Sequence, residues 1–415
     1  MSISFRTIAL AATALGGALI AGPAFTQGTG TTIARYTLDA GTISGMGAMG
    51  RGGGGGIGAA MEMMRGGAAN AEAHELQLRL GTTRAPTGAP KADHTLPQTA
   101  RFGPVLPLRT PPLGRSTDNY TPPEMPRGRL LLFWGCGEKA GPGQPVVIDF
   151  AKLVRGQVPP GLYAKPLAIA EEWRITQANS RTYGEWPHGE DRQQVPSNAS
   201  LLGAHKVAGN YTPDIAFTLD QDFMAPISLA SRAQPSGAYA LSWNAVPAAT
   251  GYYAWAFSAK GERGGGTGDI VWWTSSASQA FGGPMWDWLS PAAVRQLIAA
   301  RTVMPPSQTT CTVPAEVRQA GGEVTMTSLY AYGPERNFSY PPRPANARAG
   351  WQPDWIARAR FRSMTMAMLG MDMGAMGGDQ ADAGQETETE PAKPKKPKCR
   401  GGLAGIAQRA AGLCE

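Results

Sequence analysis

The chain has 415 residues, of which 42% are hydrophobic and 17% are charged, and its formal net charge is +7. Gly (54) and Pro (35) together make up roughly a fifth of the chain, well above average usage, which argues against a wholly helical protein. The hydrophobic content excludes global disorder, and the dispersed positive charge forms no basic stripe of the kind that binds nucleic acid.

Residues 1–27 have the features of an export signal. Arg6 precedes an apolar run that ends near Ala21, and the small residues Gly22 and Ala24 fit the sites before a signal-peptide cleavage point. We expect residues 1–24 to be removed and the protein to be exported to the periplasm or cell envelope of a Gram-negative bacterium. The alternative is an uncleaved membrane anchor, for which the run is short. No other stretch of the sequence reaches membrane-spanning length.

The region 25–127 has a biased composition, except for two short segments in which apolar and polar residues alternate. Residues 41–67 are rich in Gly and Met, and residues 84–127 are rich in Pro. Apolar and polar residues alternate at 34–38 and again at 76–80, which is typical of half-buried strands. We therefore expect 25–127 to be an extended region with two strands, outside the folded core.

The folded core is predicted from the aromatic residues. All 11 Trp lie between Trp134 and Trp355. Because aromatic side chains bury the most area per residue, we place the core at about 128–362, divided into β-rich units at 128–235 and 236–362. The connections are too short for crossover helices, which favours an all-β fold of one or two β-sandwich units over a parallel α/β sheet. The strands predicted in the first unit are 129–134, 146–150, 167–175, 214–219 and 227–230.

Within residues 236–282, apolar and polar residues alternate around Trp243. Leu241 and Trp243 share one face of a predicted strand, a turn follows at 249–251, and Tyr252 opens the next strand. This pattern resembles the early strands of a fibronectin type III module. The resemblance implies a binding or spacer module with no catalytic residue.

Two adjacent tryptophans lie in the next predicted strand, at 269–276. Trp272 and Trp273 must point to opposite faces of that strand. One of them is then either covered by a loop or exposed as a possible ligand surface.

One short helix is predicted from Ser290, as the N-cap, to about Arg301, with Pro291 at its first position. Its apolar residues lie on one face, so it should pack on a sheet. Closing strands are predicted at 310–313 and 323–332.

The C-terminal region is predicted to be a flexible Met-rich and mixed-charge linker at 363–398, followed by a short amphipathic segment at 399–415. Thioethers favour Cu(I), which makes the Met cluster a candidate metal site, although Met also fills irregular packing. No other cofactor is expected. The candidate Cu(I) ligands are Met364, Met366, Met368, Met371, Met373 and Met376.

Export permits disulfides, and the sequence has four cysteines. Cys136 ends the first core strand and Cys311 lies in a late one, so the two can meet where the chain returns to its starting edge. We predict a Cys136–Cys311 bridge and a Cys399–Cys414 bridge. For the core pair, two separate buried thiols are the alternative.

The sequence contains few groups of residues that could form a catalytic site. The four His residues, His74, His94, His188 and His205, form no recognised hydrolase or metalloprotease motif. Glu185, His188, Glu190 and Asp191 are close in sequence and could hold a metal, or form a solvated loop. The adjacent Glu171 and Glu172 face apart on a strand, and Asp220 and Asp222 flank a predicted turn.

These observations favour an exported cell-envelope protein with a structural or binding role and no evident catalytic machinery, acting on an unidentified envelope component or protein. The alternative is periplasmic Cu(I) binding through the Met-rich flanks. A third hypothesis is a carbohydrate-active enzyme.

Overall fold

A computed structural model describes residues 32–49, 71–112, 128–154, 173–188, 191, 193–261, 267–281, 283–344, 346 and 351–370. The strands are β1 (Ala34–Gly45), β2 (Glu72–Thr82), β3 (Ala92–Thr95), β4 (Val105–Leu108), β5 (Arg129–Trp134), β6 (Val146–Asp149), β7 (Thr182–Trp186), β8 (Gly203–Gly209), β9 (Ile215–Leu219), β10 (Leu229–Ala233), β11 (Tyr239–Trp243), β12 (Gly251–Gly261), β13 (Thr267–Thr274), β14 (Thr310–Val313), β15 (Thr325–Tyr340) and β16 (Trp355–Met368). The α-helices are α1 (Met46–Met49), α2 (Phe150–Val154), α3 (Pro291–Ala299) and α4 (Ala315–Ala320).

The strands form three sheets. The largest has nine strands in the order β6-β5-β13-β12-β15-β16-β1-β2-β7. Its neighbours are antiparallel except for β5 with β13 and β1 with β16, which are parallel. A four-stranded sheet, β4-β3-β8-β9, and a three-stranded sheet, β10-β11-β14, are both antiparallel.

One face of the nine-stranded sheet packs against the two smaller sheets and forms the main core. On this face, β16 buries its small and aromatic residues Ala357, Ala359 and Phe361. Val207 of the four-stranded sheet and Leu241 of the three-stranded sheet belong to the same apolar cluster. The fold is therefore an all-β sandwich, as the sequence predicts.

The predicted division into units is wrong. Strands β1 and β2, from the region expected to lie outside the core, are interior strands of the nine-stranded sheet. Strands from both proposed units, 128–235 and 236–362, belong to that sheet as well. The aromatic residues did not indicate this because β1 and β2 bury mainly aliphatic side chains, such as Leu38 and Leu78.

Three further expectations need correction. The Pro-rich stretch contains β3 and β4. The strand predicted at 167–175 lies partly outside the described residues, and residues 173–175 are not in a strand. Strand β16 continues to Met368, so the linker does not begin at residue 363. The signal region and the C-terminal segment 399–415 lie outside the described residues.

The predicted helix is present as α3. The Ser290 hydroxyl accepts a hydrogen bond from the Ala293 amide at 3.2 Å, and Pro291 occupies the first turn. Val294 and Leu297 are buried in a second apolar cluster on the other face of the nine-stranded sheet. Among the described residues, no helix has the length and apolar character needed to cross a membrane.

The predicted Cys136–Cys311 disulfide is present, with a Cα–Cα distance of 5.1 Å. It connects the end of β5, in the nine-stranded sheet, to β14, in the three-stranded sheet. The bridge closes a separation of 175 residues, so the lost chain entropy of the unfolded state corresponds to about 5 kcal/mol. Cys399 and Cys414 lie outside the described residues.

A chain of hydrogen bonds crosses the main core between two sheets. The Tyr36 hydroxyl of β1 donates to His94 Nδ1, and His94 Nε2 lies 2.9 Å from His205 Nδ1. His205 Nε2 donates to the Leu201 carbonyl at 2.7 Å. With the Tyr36 hydroxyl as the first donor, each imidazole donates through one nitrogen and accepts through the other, which is the arrangement of two neutral rings.

We predict that the protein loses stability in acid because of these two histidines. Burial lowers the pKa of His94 well below its usual value, with a further contribution from His205, and burial also lowers the pKa of His205. The unfolded chain therefore binds more protons than the folded one below about pH 6.5. The free energy of unfolding should fall by up to about 1.4 kcal/mol per pH unit for each histidine, and should not depend on them above that pH.

Urea unfolding at several pH values measures this slope. NMR of the ring nitrogens should show neutral His94 and His205 in the folded protein down to the pH at which it unfolds. A His94 ring that titrates near pH 6.5 in the folded protein would contradict the prediction.

Candidate functional site

The second face of the nine-stranded sheet carries a band of charged residues. In β16, Arg358, Arg360 and Arg362 alternate with residues of the main core, so they face away from it. Asp39 of β1 is the register partner of Arg360, and the β15 residue Glu335 lies on its other side. Unlike most charged residues on strands, these arginines are buried.

Asp39 and Arg360 form a two-point ion pair in the middle of this band. Arg360 donates from Nε to Asp39 Oδ1 at 2.6 Å and from Nη2 to Oδ2 at 2.8 Å. Arg79 adds a contact of 3.2 Å to Oδ2. Burial alone would raise the pKa of Asp39, but the guanidinium groups of Arg360, Arg79 and Arg358 together hold it below its usual value.

Arg362 has its own carboxylate partner. Its Nη2 donates to Glu75 Oε1 at 2.7 Å, and its guanidinium lies 3.6 Å from the centre of the Trp288 ring. The Glu75 side chain occupies the space that a Cβ at Gly41 would fill, with a closest approach of 2.5 Å. Gly41 therefore makes room for this second ion pair.

Arg358 is different because its guanidinium makes no hydrogen bond within the described part of the chain. The closest carboxylate oxygen is Glu335 Oε2, 4.0 Å from Nη1, and only 6% of the Arg358 side chain is exposed. The Trp173 ring stacks over the guanidinium at 4.5 Å. Burial, reinforced by the neighbouring charge of Arg360, lowers the pKa of Arg358 to about 10. Arg358 is thus a buried cation that is still charged at neutral pH and is poorly compensated.

Arg358 lines a cleft of about 710 Å³ on this face of the sheet. Strands β1, β2, β15 and β16 form its floor, residues 173–176 form one wall, and residues 284–295 form another. The first turn of α3 also borders it, and the amino end of a helix carries a partial positive charge. The charged residues lining the cleft are Arg79, Arg174, Arg295, Arg358, Arg360, Asp287 and Glu335.

Three polar atoms at the floor have no hydrogen-bond partner among the described residues. They are Arg358 Nε, Glu335 Oε2 and Thr37 Oγ1, and all three are buried. Buried polar groups are nearly always paired, so three such atoms around one cleft indicate a place for a polar ligand. With five arginines against two carboxylates, the cleft favours a ligand that is negatively charged.

The two adjacent tryptophans are not part of this cleft. Trp273 is fully buried, and its Nε1 donates to the Gly135 carbonyl at 2.9 Å. Trp272 is half-buried, stacked on Trp286 at 5.6 Å and in edge contact with Phe281 at 5.5 Å. Residues 281 and 286 thus cover part of Trp272, and the ligand surface stays a prediction.

Of the six Met residues predicted to bind Cu(I) in the linker, three lie in β16 and three lie outside the described residues. Met364, Met366 and Met368 are half-buried on one face of β16, where the strand pairs with β1 and β15. Met326 of β15 is the register partner of Met368. Met371, Met373 and Met376 lie outside the described residues.

The other candidate residues do not converge. His188 Nδ1 lies 3.5 Å from Asp191 Oδ2, whereas Glu185 accepts from the Tyr183 hydroxyl. Asp220 pairs with Arg336, and Asp222 accepts from Ser200 and Leu201. In the ranges that the structure describes, no three His, Cys, Asp or Glu side chains form a metal-binding group. Glu171, Glu172 and Glu190 lie outside those ranges.

The cleft was missed by sequence reasoning, although a signal was present. Residues 357–362 read Ala-Arg-Ala-Arg-Phe-Arg, a strict alternation of small or aromatic residues with arginine. Such a pattern predicts a strand with one apolar face and one cationic face. Its carboxylate partners come from β1, β2 and β15, far away in the chain, so the burial of the arginines was not predictable from this segment alone.

No family model, curated protein or solved structure matches this chain. Since a sandwich architecture by itself assigns no function, the functional argument rests on the chemistry of the cleft.

We predict that Asp39→Asn lowers the free energy of unfolding by about 3–5 kcal/mol, because it leaves Arg360 buried against a neutral amide. Urea unfolding followed by tryptophan fluorescence measures the loss. Replacing both partners, with Asp39→Leu and Arg360→Met, removes both charges and should recover most of it.

The matched control is Asp220→Asn, since the Asp220–Arg336 pair is exposed and should contribute little. Equal losses for the Asp39 and Asp220 variants would show that the buried pair has no special role.

Proposed function

We propose that this is an exported cell-envelope protein with a binding role, whose ligand is anionic and occupies the cleft on the second face of the nine-stranded sheet. The observation that carries the proposal is the buried guanidinium of Arg358, which has no hydrogen-bond acceptor in the described part of the chain. An anion in the cleft would supply that acceptor and balance the charge.

The export part of the proposal rests on two features. Residues 1–27 have the pattern of a signal peptide, and the Cys136–Cys311 bridge is of a kind that persists in oxidising compartments. The fibronectin-like alternation at 236–282 also suits a binding or spacer module.

The remaining positive groups reinforce the site. Arg79 and Arg360 form ion pairs with the buried Asp39, whereas Arg358 makes no contact closer than 4.0 Å with a carboxylate in the described residues. The cleft floor therefore keeps a surplus of positive charge in a poorly solvated place, where an ionic hydrogen bond is strong. Because the floor consists of paired strands, these groups are held in place before the ligand arrives.

We predict that inorganic phosphate, used as a probe anion at constant ionic strength, raises the unfolding temperature of the protein and that Arg358→Met abolishes the effect. Methionine keeps part of the packing against Trp173 but removes the charge. Without phosphate, the same variant should be as stable as the wild type or more so, because it removes an uncompensated buried cation.

Arg336→Met serves as the control, since Arg336 is an exposed arginine outside the cleft. It should leave the phosphate effect intact. The proposal fails if phosphate stabilises the Arg358→Met variant and the wild-type protein equally.

Cu(I) binding is a second candidate, favoured by the register of β15 and β16. Met366 and Met368 lie on one face of β16, and Met326 is opposite Met368, so three thioethers share a small area. The Met366 sulfur also lies against Gly47 of α1. Neighbouring thioethers are soft ligands of the kind that suits Cu(I). The third hypothesis, a carbohydrate-active enzyme, stays a prediction.

For the copper site, we predict that replacing Met326, Met366 and Met368 by Leu removes Cu(I) binding in a titration against a competing chelator. The unfolding temperature should change little because Leu preserves the volume. A parallel variant with Met371, Met373 and Met376 replaced by Leu distinguishes the strand site from the C-terminal segment. Unchanged Cu(I) affinity in the strand variant would exclude the site.

A further inference from the structure

The cleft floor offers an acceptor as well as a donor. Glu335 Oε1 accepts from the Asn337 amide at 2.7 Å, but Oε2 has no donor among the described residues. This oxygen lies 4.0 Å from Arg358 Nη1, too far for a hydrogen bond. A ligand that satisfies both groups must present a negatively charged acceptor next to a hydrogen-bond donor.

The charge of the cleft indicates what kind of donor this is. An ammonium group would be repelled by the surplus arginines, whereas a hydroxyl donates a hydrogen bond without adding positive charge. The unpartnered Thr37 hydroxyl, close by on β1, can pair with a second hydroxyl of the ligand. The polar groups therefore select an anion that also carries hydroxyl groups.

The walls add flat apolar surface. Trp173 lines the cleft as a half-buried ring, whereas Trp288, which also borders it, is only 4% exposed and has the Arg362 guanidinium against its ring. Leu289 and Pro291 continue this surface. Ring faces and aliphatic groups suit a compact ring with C–H faces and polar edges, and the volume of about 710 Å³ exceeds what a simple hydroxy acid fills.

From these features we infer that the ligand is an acidic sugar, a uronic acid residue of an oligosaccharide. Its carboxylate pairs with Arg358, one ring hydroxyl donates to Glu335 Oε2, and the sugar face lies against Trp173. This inference rests on the proposed function, because it requires the anion site at Arg358, and it names the class of ligand.

Isothermal titration with galacturonate trimers, at constant ionic strength, tests the inference. The trimer should bind at least about tenfold more tightly than acetate or a neutral galactose trimer, because only the uronate offers both charge and hydroxyls. Trp173→Leu should weaken trimer binding while leaving phosphate binding nearly unchanged.

The Glu335→Gln variant distinguishes most clearly between binding of any anion and binding of an acidic sugar. It removes a negative charge from the cleft, so phosphate should bind as well as before or better. The trimer should bind about five- to tenfold more weakly, because a hydroxyl bonds less strongly to an amide than to a carboxylate. The matched control is Asp220→Asn, an exposed carboxylate outside the cleft, which should change neither affinity.

The outcomes separate the two proposals. If phosphate binds through Arg358 but galacturonate binds no better than acetate, or if Glu335→Gln leaves trimer binding unchanged, the acidic-sugar inference is wrong and the anion site stands. If neither phosphate nor galacturonate binds, both are wrong.

Discussion

The buried ion pair between Asp39 and Arg360 is the contact on which the arrangement of the nine-stranded sheet depends. It joins β1 to β16, which run in parallel although 321 residues separate the two side chains. A shift of one residue in this pairing would turn Asp39 towards the apolar core and leave Arg360 without a counter-charge. Because an unpaired buried charge costs several kcal/mol, the pair disfavours a shift of one residue in either direction. Together with the packing of the two strands, this constraint helps to fix the position of β16 and of the cleft.

Three arginines lie at alternate positions along β16. The differences in their carboxylate contacts are the reason why we propose that the ligand binds at Arg358. Arg360 and Arg362 each have a carboxylate within hydrogen-bond distance, whereas Arg358 has Glu335 only at 4.0 Å. Packing alone does not account for this difference, since a neutral side chain at 358 would avoid the desolvation of a charge. A buried cation that lowers the stability of the protein without ligand and also lines a cleft, as Arg358 does, has the properties expected of a binding residue.

Local patterns in the sequence predicted local structure well. A continuous apolar run ending at glycine predicted β5, and alternation predicted the strand at 34–38. The Ser290–Pro291 pair predicted the start of α3, and the order of the strands suggested the Cys136–Cys311 bridge. Pairing between distant segments was not predictable in this way, because no local pattern specifies that β1 lies beside β16. The candidate site was missed for the same reason. Its floor comes from β1, β2, β15 and β16, and its walls come from segments outside the sheets, at 173–176 and at 284–295, which includes the start of α3.

Successive residues of β1 point to opposite faces of the nine-stranded sheet. Tyr36 points into the main core and hydrogen-bonds to His94, and the next residue, Thr37, points into the cleft. Leu38 and Asp39 repeat this alternation, with Asp39 in the ion pair. The cleft floor is thus part of the same strands that hold the sandwich together, so the polar groups that we propose bind the ligand are held in place by the sheet. The walls are not part of any sheet, so residues such as Trp173 can change the preferred ligand with a smaller effect on the fold.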